Sequence, residues 1–217
     1  MLDSSLYLKE LAGEVVEIGS FQGKSTIWLA QENPKVIAID PHEGKTDDEQ
    51  LRPTLIAFKK HIKQAGVEKK VNVLVARSQD VVATWESPIK LLFIDGLHEY
   101  KPVLSDYKSW SPYLANGGII ALHDAFCGWP GVASVILEKA LKDDLYREAG
   151  VVGSIIYLIK GKRTLVDRIN WWRCSNLIKF SLWLHRVESL PKRLKFFLIH
   201  RVNKLLLLNR FTIRYLF

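Results

Sequence analysis

Residues 91–126, LLFIDGLHEYKPVLSDYKSWSPYLANGGIIALHDAF, contain two apolar runs that each end in acidic and imidazole side chains. Leu91–Ile94 and Ile119–Leu122 have the length and composition of buried parallel strands. In an open α/β sheet, ligands bind just beyond the carboxyl ends of the strands. The side chains expected to converge at that edge are Asp95, His98, His123 and Asp124.

Strands and helices alternate through the part of the chain that precedes Gly161. Short β-branched runs predict further strands at Glu14–Ile18, Lys35–Ile39 and Val71–Val75. Apolar residues at helical spacing predict helices at Lys24–Gln31, from Leu51 to near Gly66, from Tyr100 to Leu114 and from about Val132 to Lys142. Leu145–Lys160 predicts a hairpin that turns near Val151–Ser154. This alternation favours a doubly wound, mostly parallel α/β sheet with an antiparallel edge strand.

The first predicted strand-to-helix turn, Glu17–Thr26 (EIGSFQGKST), carries glycines at positions 19 and 23. A P-loop has four residues between its first glycine and Gly-Lys-Ser, whereas this turn has three, so a P-loop nucleotide hydrolase is disfavoured. The glycine spacing of dinucleotide-binding turns is also missing. An acid followed by Gly-x-x-x-Gly, with Asp40 ending the next predicted strand, fits an adenosyl ligand whose ribose hydroxyls bind that carboxylate. The same glycines also fit a close strand–helix contact without any ligand.

Three segments together resemble the class I S-adenosylmethionine-dependent methyltransferases: VVEIGSFQGKSTIWLA (15–30), VIAIDPHEG (36–44) and the run from Phe93 to Phe126. Within this class, the similarity is strongest to the small O-methyltransferase branch that includes macrolide sugar O-methyltransferases, with catechol O-methyltransferases as more distant relatives. The most specific part is Ile-Asp-Gly-x-His-x-Tyr followed by Gly-Gly-x-x-x-x-His-Asp. Covering roughly residues 10–160, the resemblance implies a Rossmann-like sheet, S-adenosylmethionine as cofactor, and methyl transfer to a hydroxyl of a sugar, polyol or related small molecule.

The resemblance implies cofactor contacts residue by residue. The positions that would surround the methionine portion of S-adenosylmethionine are Glu17, Gly19, Ser20 and Gly23. Asp40 would bind the ribose, and Ser78 and Gln79 would bracket the adenine. Asp95 is a further cofactor-binding candidate.

The resemblance also implies roles in the reaction. Asp95, His123 and Asp124 match divalent-metal ligands, for Mg²⁺ or another ion. His98 matches a general base. Methyl transfer needs a positioned oxygen nucleophile and removal of its proton, and both a divalent ion and a histidine assist that step.

Several of these residues have a second interpretation. His123 departs from relatives that have an acid there, so a structural hydrogen bond fits it as well as metal ligation does. His98 could instead order its loop, and Asp95 could form a turn. Trp129, on the rim of the expected site, could contact substrate. The alternative function is a catalytically inactive cofactor-binding or membrane-associated scaffold.

The composition changes after residue 160. From Lys160 onward, 14 Lys and Arg residues accompany only two acids, so this part carries +12 although the whole chain carries +8. We expect a methyltransferase domain at 1–160 and a basic, apolar-rich helical tail at 161–217, which Pro191 divides into two helices.

Large apolar residues are interleaved with the cations of this tail. The mixture fits helices at an anionic membrane surface, with Trp171, Trp172 and Trp183 at headgroup level. Packing on the catalytic domain, or on a second copy in a homo-oligomer, is the competing interpretation. Nucleic acid is the least favoured partner, because tails that bind it usually carry more small or polar residues.

Cysteine content and hydropathy predict the compartment. Cys127 and Cys174 are too few for a disulfide framework and fit a reducing environment. The start, MLDSSLYLKE, lacks the features of a signal peptide. The sequence contains no run of about 18 uncharged apolar residues, so we expect no membrane span. We expect a cytoplasmic protein that is peripheral on the inner face of the membrane where the tail binds.

Overall fold

The computed structural model describes residues 8, 10–43, 54–126 and 128–206, which leaves Leu51 and Cys127 of the sequence-based analysis outside the described residues. In this part of the chain, seven strands form one sheet in the order β3-β2-β1-β4-β5-β7-β6. The strands are β1 (Glu14–Ile18), β2 (Val36–Ile39), β3 (Val71–Leu74), β4 (Ile89–Ile94), β5 (Leu114–Leu122), β6 (Tyr146–Val152) and β7 (Ile155–Lys160). The first five are parallel, and β7 runs antiparallel to both β5 and β6. The predicted sheet with an antiparallel edge is therefore confirmed.

Helices cover both faces of this sheet. They are α1 (Lys24–Glu32), α2 (Leu55–Gln64), α3 (Ser78–Val82), α4 (Tyr100–Trp110), α5 (Pro130–Val135), α6 (Leu165–Arg186) and α7 (Lys192–Leu206). α5 continues into a π-helical turn, Ile136–Ala140. α4 is shorter than predicted because Ser111–Tyr113 forms a 3₁₀ turn around Pro112, whose ring removes a helical donor. The short helix α3 was not predicted from the sequence.

The strands alternate their apolar side chains between two cores. In β1, Val16 contributes to the core beneath α4, α5 and α6, whereas Val15 contributes to the core beneath α1 and α2. This alternation follows from the two-residue period of a strand. Trp110 is completely buried in the first core and Phe58 in the second. Burial of one such side chain contributes about 1.5–3 kcal/mol.

The predicted helical extension begins with α6. A reciprocal capping box starts it: Thr164 N donates to Asp167 Oδ2 at 2.7 Å, and Asp167 N donates to Thr164 Oγ1 at 3.4 Å. The inward face of α6 packs on β6 and joins the first core. The division of the chain at residue 160 stays a prediction, but α6 shares the core of the sheet.

Trp171 corrects one expectation about the extension. Its ring is only 6% exposed, its Nε1 donates to the carbonyl of Arg147 at 3.3 Å, and the Arg163 guanidinium lies 3.9 Å from the ring centroid. Trp171 therefore belongs to the core, and its predicted place at headgroup level is wrong. Trp172 and Trp183 are exposed, in agreement with the expectation. No helix in the described part of the chain is long and apolar enough to cross a bilayer.

Candidate active site

The carboxyl ends of four parallel strands bring the predicted site residues to one edge of the sheet. Ile18 at the end of β1 is in register with Ile39 of β2 and Ile94 of β4, and Ile94 is in register with Leu122 of β5. Hydrogen bonds continue this register past the strands: Asp95 N donates to Ile18 O at 2.8 Å. The residues that leave the strands side by side are Gly19, Asp40, Asp95 and His123.

The turn after β1 depends on its first glycine. Gly19 has φ +88°, and a Cβ there would lie 2.1 Å from the carbonyl oxygen of Asp95. The loop after β4 therefore lies directly against Gly19. The missing side chain allows this contact between the two loops, and it would also allow a ligand to approach the backbone closely. Gly23 also has positive φ, at +87°, but a Cβ there would meet only side chains, the ring of Phe58 at 3.1 Å and Ile62 at 3.4 Å.

Glu17 lies completely buried beneath this turn, where the hydroxyl of Thr26 donates to its Oε2. Burial, helped by the nearby carboxyl groups of Asp95 and Asp40, raises the pKa of Glu17 to about 7, although hydrogen bonds from Ser25 and Thr26 oppose the shift. Its Oε1 and the hydroxyl of buried Ser20 have no hydrogen-bond partner among the described residues. These two oxygen atoms can still form hydrogen bonds, although Glu17 is not exposed at the surface.

Asp40 is fixed by two backbone amides. Phe21 N donates to its Oδ2 at 2.8 Å, and His42 N donates to its Oδ1 at 2.6 Å. Each carboxylate oxygen can accept a further bond, so ribose hydroxyls can still be bound. Phe21 (φ +44°), His42 (φ +53°) and Asp124 (φ +56°) hold left-handed backbone without being glycine. All three adjoin this edge, and strained residues of this kind cluster at binding sites.

Ser78 and Gln79 begin α3 and are tied to α4. The Ser78 hydroxyl and the Gln79 side-chain amide both donate to Oδ1 of Asp106, at 2.5 and 3.1 Å. Burial raises the pKa of Asp106, and these two hydrogen bonds oppose that shift. The sequence analysis missed Asp106; its signal was a carboxylate at a core-facing position between Val103 and Tyr107.

Asp95, His98, His123 and Asp124 form what we call the acid–imidazole cluster. His98 Nε2 lies 3.1 Å from Asp124 Oδ2 and 3.9 Å from Asp95 Oδ1. His123 Nδ1 lies 3.1 Å from Asp95 Oδ1 and 3.2 Å from Asp124 Oδ1. The structure thus assembles all four predicted side chains.

The cluster also involves a residue that the sequence did not indicate. Ser154, in the turn between β6 and β7, has its hydroxyl 3.0 Å from His123 Nε2. This contact orients the ring of His123 with Nδ1 towards the carboxylates. A histidine that binds a metal is usually held in this way, through a hydrogen bond to its other ring nitrogen.

The carboxylates strongly favour the protonated imidazoles. Hydrogen bonds to Asp124 and Asp95 raise the pKa of His98 to about 10, although partial burial opposes the shift. Burial lowers the pKa of His123, but hydrogen bonds to Asp124 and Asp95 outweigh it and raise that pKa to about 9. At neutral pH both imidazoles of the free cluster are therefore protonated.

Trp129 forms one wall of the cluster. Its ring stacks on His98 with the ring centroids 4.7 Å apart and the planes at 21°. Gly131 allows this approach, because a Cβ there would lie 2.3 Å from the carbonyl oxygen of His98. The predicted rim position of Trp129 is thus observed, in contact with the candidate base.

The cluster can hold a divalent ion. Ligand atoms of Asp95, His98 and Asp124 all lie within 4.8 Å of one another, a group that contains His98 where the sequence analysis had named His123. Two carboxylate oxygens and an imidazole nitrogen suit a divalent cation. His123 contacts both carboxylates, so it stays a candidate for the same ion.

A sheet in the observed strand order, with a glycine turn after β1 and an acid after β2, has the Rossmann-like fold of the S-adenosylmethionine-dependent methyltransferases. Residues 16–125 match the model of the family described as "Methyltransferase domain". The chain belongs to this methyltransferase-domain family.

Two curated proteins show similarity in sequence. The chain is 31% identical over 118 residues to the uncharacterized protein R132 of Acanthamoeba polyphaga mimivirus, covering 50% of each chain. It is 26% identical over 162 residues to a catechol O-methyltransferase of Niastella koreensis, covering 72% of this chain and 65% of that one. The chain thus spans half to two thirds of the length of these relatives.

Solved structures show the same fold at low identity. The O-methyltransferase NovP matches with a TM-score of 0.61 and 16% identity, over 74% of this chain and 76% of that one. TomG from Streptomyces achromogenes, in complex with S-adenosylmethionine, matches with a TM-score of 0.54 and 18% identity, over 73% and 76%. CalS11, described as a TDP-rhamnose 3'-O-methyltransferase, matches with a TM-score of 0.51 and 18% identity, over 72% and 76%. The family model thus assigns the chain to the methyltransferase domains, and the predicted resemblance to class I O-methyltransferases is confirmed at the level of the fold.

Proposed function

We propose that the protein is an S-adenosylmethionine-dependent O-methyltransferase whose acceptor is a hydroxyl of a sugar, polyol or related small molecule. The observation that carries this proposal is the acid–imidazole cluster at the same sheet edge as the Gly19 turn and Asp40. Cofactor-binding and proton-handling groups thus face one space. The sugar or polyol class rests on the motif resemblance, and CalS11 motivates nucleotide-activated sugars as the first acceptors to assay.

Asp40 and the Gly19 turn are the cofactor side of the proposal. S-adenosylmethionine would supply an electrophilic methyl group on a sulfonium. Asp40, held rigid by the amides of Phe21 and His42, would accept the ribose hydroxyls. Ser20 offers an unpaired hydroxyl beside the turn. Ser78 and Gln79 would flank the adenine.

His98 is the proposed general base. Asp124 holds its ring, and Trp129 fixes the plane of that ring by stacking. In its neutral form His98 can accept the proton of the acceptor hydroxyl. Because its pKa lies near 10 in the free cluster, turnover should rise with pH through the neutral range.

A divalent ion, Mg²⁺ or another, would be held by Asp95 and Asp124 with His98 or His123, and would supply Lewis-acid activation of the hydroxyl. The imidazoles are protonated in the free cluster, so ion binding should release protons and tighten as pH rises. Calorimetry in buffers of different ionisation enthalpy measures that release.

The test is cofactor titration followed by methyl transfer. The wild type should bind S-adenosylmethionine, and Asp40→Ala should weaken binding about 10- to 100-fold, because hydrogen bonds to a charged group contribute about 1.5–3 kcal/mol. Asp40→Asn is the matched control for side-chain volume and should lose less. Radiolabelled methyl transfer to sugars and nucleotide sugars, with and without chelator, then defines the reaction.

The outcomes separate the candidate functions. Absence of S-adenosylmethionine binding would contradict the cofactor assignment. Tight binding without transfer to any hydroxyl acceptor would favour the inactive scaffold. Full activity in chelator would remove the metal and leave His98 as the acting group.

We further propose that the protein is cytoplasmic and contacts an anionic membrane peripherally through α6 and α7. Both helices combine cations with exposed Trp, Leu or Phe side chains. Homo-oligomerisation through the same surfaces is the competing arrangement, and the vesicle experiment below distinguishes the two.

A further inference from the structure

The outward side of α6 carries four large apolar side chains that nothing in the described structure covers. Leu165, Ile169, Trp172 and Trp183 are 77%, 52%, 64% and 59% exposed. They follow one another at intervals of four, three and eleven residues, which places them on one side of an α-helix. The opposite side, with Cys174 and Leu177, is completely buried against the sheet. α6 therefore presents large apolar side chains on two opposite sides, and only the inward ones have a partner among the described residues.

A basic groove of about 630 Å³ lies beside this face. One wall is α6, and the other is the segment 137–142 that follows α5. The cations that border the groove are Lys142, Arg163, Arg168 and Lys179. Glu138 is the acid that faces them, and its carboxylate accepts a bond from the hydroxyl of Tyr100 at 2.8 Å.

The four cations divide into one structural residue and three available ones. Arg163 donates to the carbonyls of Asp143 and Tyr146 at 2.7 and 3.1 Å and stacks on Trp171. It therefore builds the wall of the groove. Lys142, Arg168 and Lys179 are exposed and form no ion pair with other described residues. Their charges are free to meet anions.

This combination favours a lipid surface over the other occupants. Exposed aliphatic residues such as Leu165 and Ile169 gain little from a nucleic acid, whereas they are stabilised at the boundary between headgroups and acyl chains. Two copies of this chain would bring like charges together, because the sequence from Lys160 onward carries +12. An anionic bilayer matches both the charge and the apolar side chains.

We propose that the outward face of α6 and the adjacent groove form a docking surface for an anionic lipid bilayer, in which lipid phosphates enter the groove and Leu165, Ile169, Trp172 and Trp183 insert among the headgroups. This inference deepens the membrane contact proposed above by locating it on α6. Three of the four inserted side chains lie along the first eight residues of α6, close to Arg168. That end of the helix should reach deepest.

The experiment is co-sedimentation of the full chain with vesicles of phosphatidylcholine alone and of phosphatidylcholine mixed with phosphatidylglycerol. The wild type should bind the mixed vesicles and not the neutral ones. Arg168→Gln combined with Lys179→Gln should weaken partitioning about 25-fold, because each cation near an anionic surface contributes about 1 kcal/mol, or about fivefold. Trp172→Ser should weaken it about tenfold or more.

Matched controls lie on the opposite face of the sheet. Trp28 on α1 is 53% exposed, so Trp28→Ser removes a comparable ring from a surface remote from the groove. Lys60→Gln combined with Lys63→Gln removes two exposed charges from α2. Both controls should bind vesicles as the wild type does. All variants should retain the wild-type melting temperature and calorimetric affinity for S-adenosylmethionine.

Each outcome has a distinct meaning. Wild-type binding that survives the groove and Trp172 changes would overturn the α6 surface while leaving membrane association in place. A wild type that ignores anionic vesicles would overturn both. A dimer in sedimentation equilibrium that Trp172→Ser dissociates would identify a second copy as the occupant instead. Failure to bind S-adenosylmethionine would contradict the proposed enzyme function independently of vesicle binding.

Discussion

His98 and His123 face the same two carboxyl groups, those of Asp95 and Asp124, and this contact holds each imidazole in its cationic form. Either an arriving cation or a rise in pH must remove those protons before a histidine can accept one from an acceptor. The two protonated imidazoles therefore decide how many protons the site must release, and this makes pH the most informative variable.

The first prediction concerns catalysis by His98. His98→Gln should lower turnover about 10²- to 10⁴-fold, the usual contribution of a general base, and leave affinity for S-adenosylmethionine unchanged. In the wild type, turnover should rise with pH until about 9–10, where the imidazoles lose their protons. Methyl-transfer rates across pH test both statements. A flat profile, or an active variant, would exclude His98 as the base.

The second prediction concerns stability in the absence of metal. Glu17, His98 and His123 all have raised pKa values in the folded protein, so the folded state binds more protons than the unfolded state. The contribution of Glu17 is complete below about pH 4.5 and is lost as pH rises through about 7. The contribution of the histidines is complete below about pH 6.5 and is lost through about 9–10. The free energy of unfolding should therefore fall in two steps.

Variants assign the two steps. Denaturant titrations in chelator should show that Glu17→Gln flattens the lower step and His98→Gln reduces the upper one. His200→Gln, on the exposed side of α7, is the control and should change neither. Stability that rises with pH across these windows would contradict the protonation states assigned to the cluster.

At the scale of elements, the sequence predicted most of the sheet because its signals are local. Short apolar runs bounded by turn residues, such as Leu91–Ile94, favour a buried strand. β5 was predicted too short, since Gly117 and Gly118 look like a break although the strand begins at Leu114. Gly118 lies within the strand, and glycine is required there because a Cβ would come 2.9 Å from the carbonyl oxygen of Ile89 on β4. Contacts between distant segments decide such cases.

The site was predictable to the same extent. Residues that follow the strands, such as Asp95 and His123, converge because the carboxyl ends of parallel strands lie at one edge of the sheet. Their position directly after the predicted strands is visible in the sequence. Ser154 and Asp106 contact the site from a distant turn and a neighbouring helix. No local pattern marks Ser154, and the one signal of Asp106 is a carboxylate at a core-facing helix position. The pairing of both imidazoles with both carboxylates likewise depends on three-dimensional distances.

The third prediction contrasts the two glycines of the first turn. Gly19→Ala should displace the loop after β4, because its Cβ would meet backbone that cannot retreat as a side chain can. Melting temperature and affinity for S-adenosylmethionine should both fall strongly. Position 23 has a similar φ, but a Cβ there meets only the side chains of Phe58 and Ile62. Gly23→Ala should therefore cost only about 1–2 kcal/mol for the left-handed backbone. Equal effects in thermal melts would contradict the proposed loop contact.

At the scale of the whole molecule, α6 connects the extension to the active-site edge. The Ser181 hydroxyl donates to the carbonyl of Phe126 at 3.3 Å, and a Cβ at Gly128 would lie 2.6 Å from the His185 ring. α6 therefore supports the loop between Asp124 and Trp129 as well as covering the sheet. The sequence alone suggested that residues 1–160 form a separate domain, whereas this packing argues that they depend on α6.

The last prediction follows from that dependence. A chain shortened to end at Gly161 loses the buried side chains of Trp171, Leu177, Ile178 and Leu184, each contributing about 1.5–3 kcal/mol. Their sum, on the order of 10 kcal/mol, is comparable to the whole stability of a typical domain, so the shortened chain should aggregate or melt far below the wild type. A chain ending at Glu188, which retains α6, should stay folded and bind S-adenosylmethionine by calorimetry. If the chain ending at Gly161 is folded and binds the cofactor with wild-type affinity, residues 1–160 are an independent domain after all.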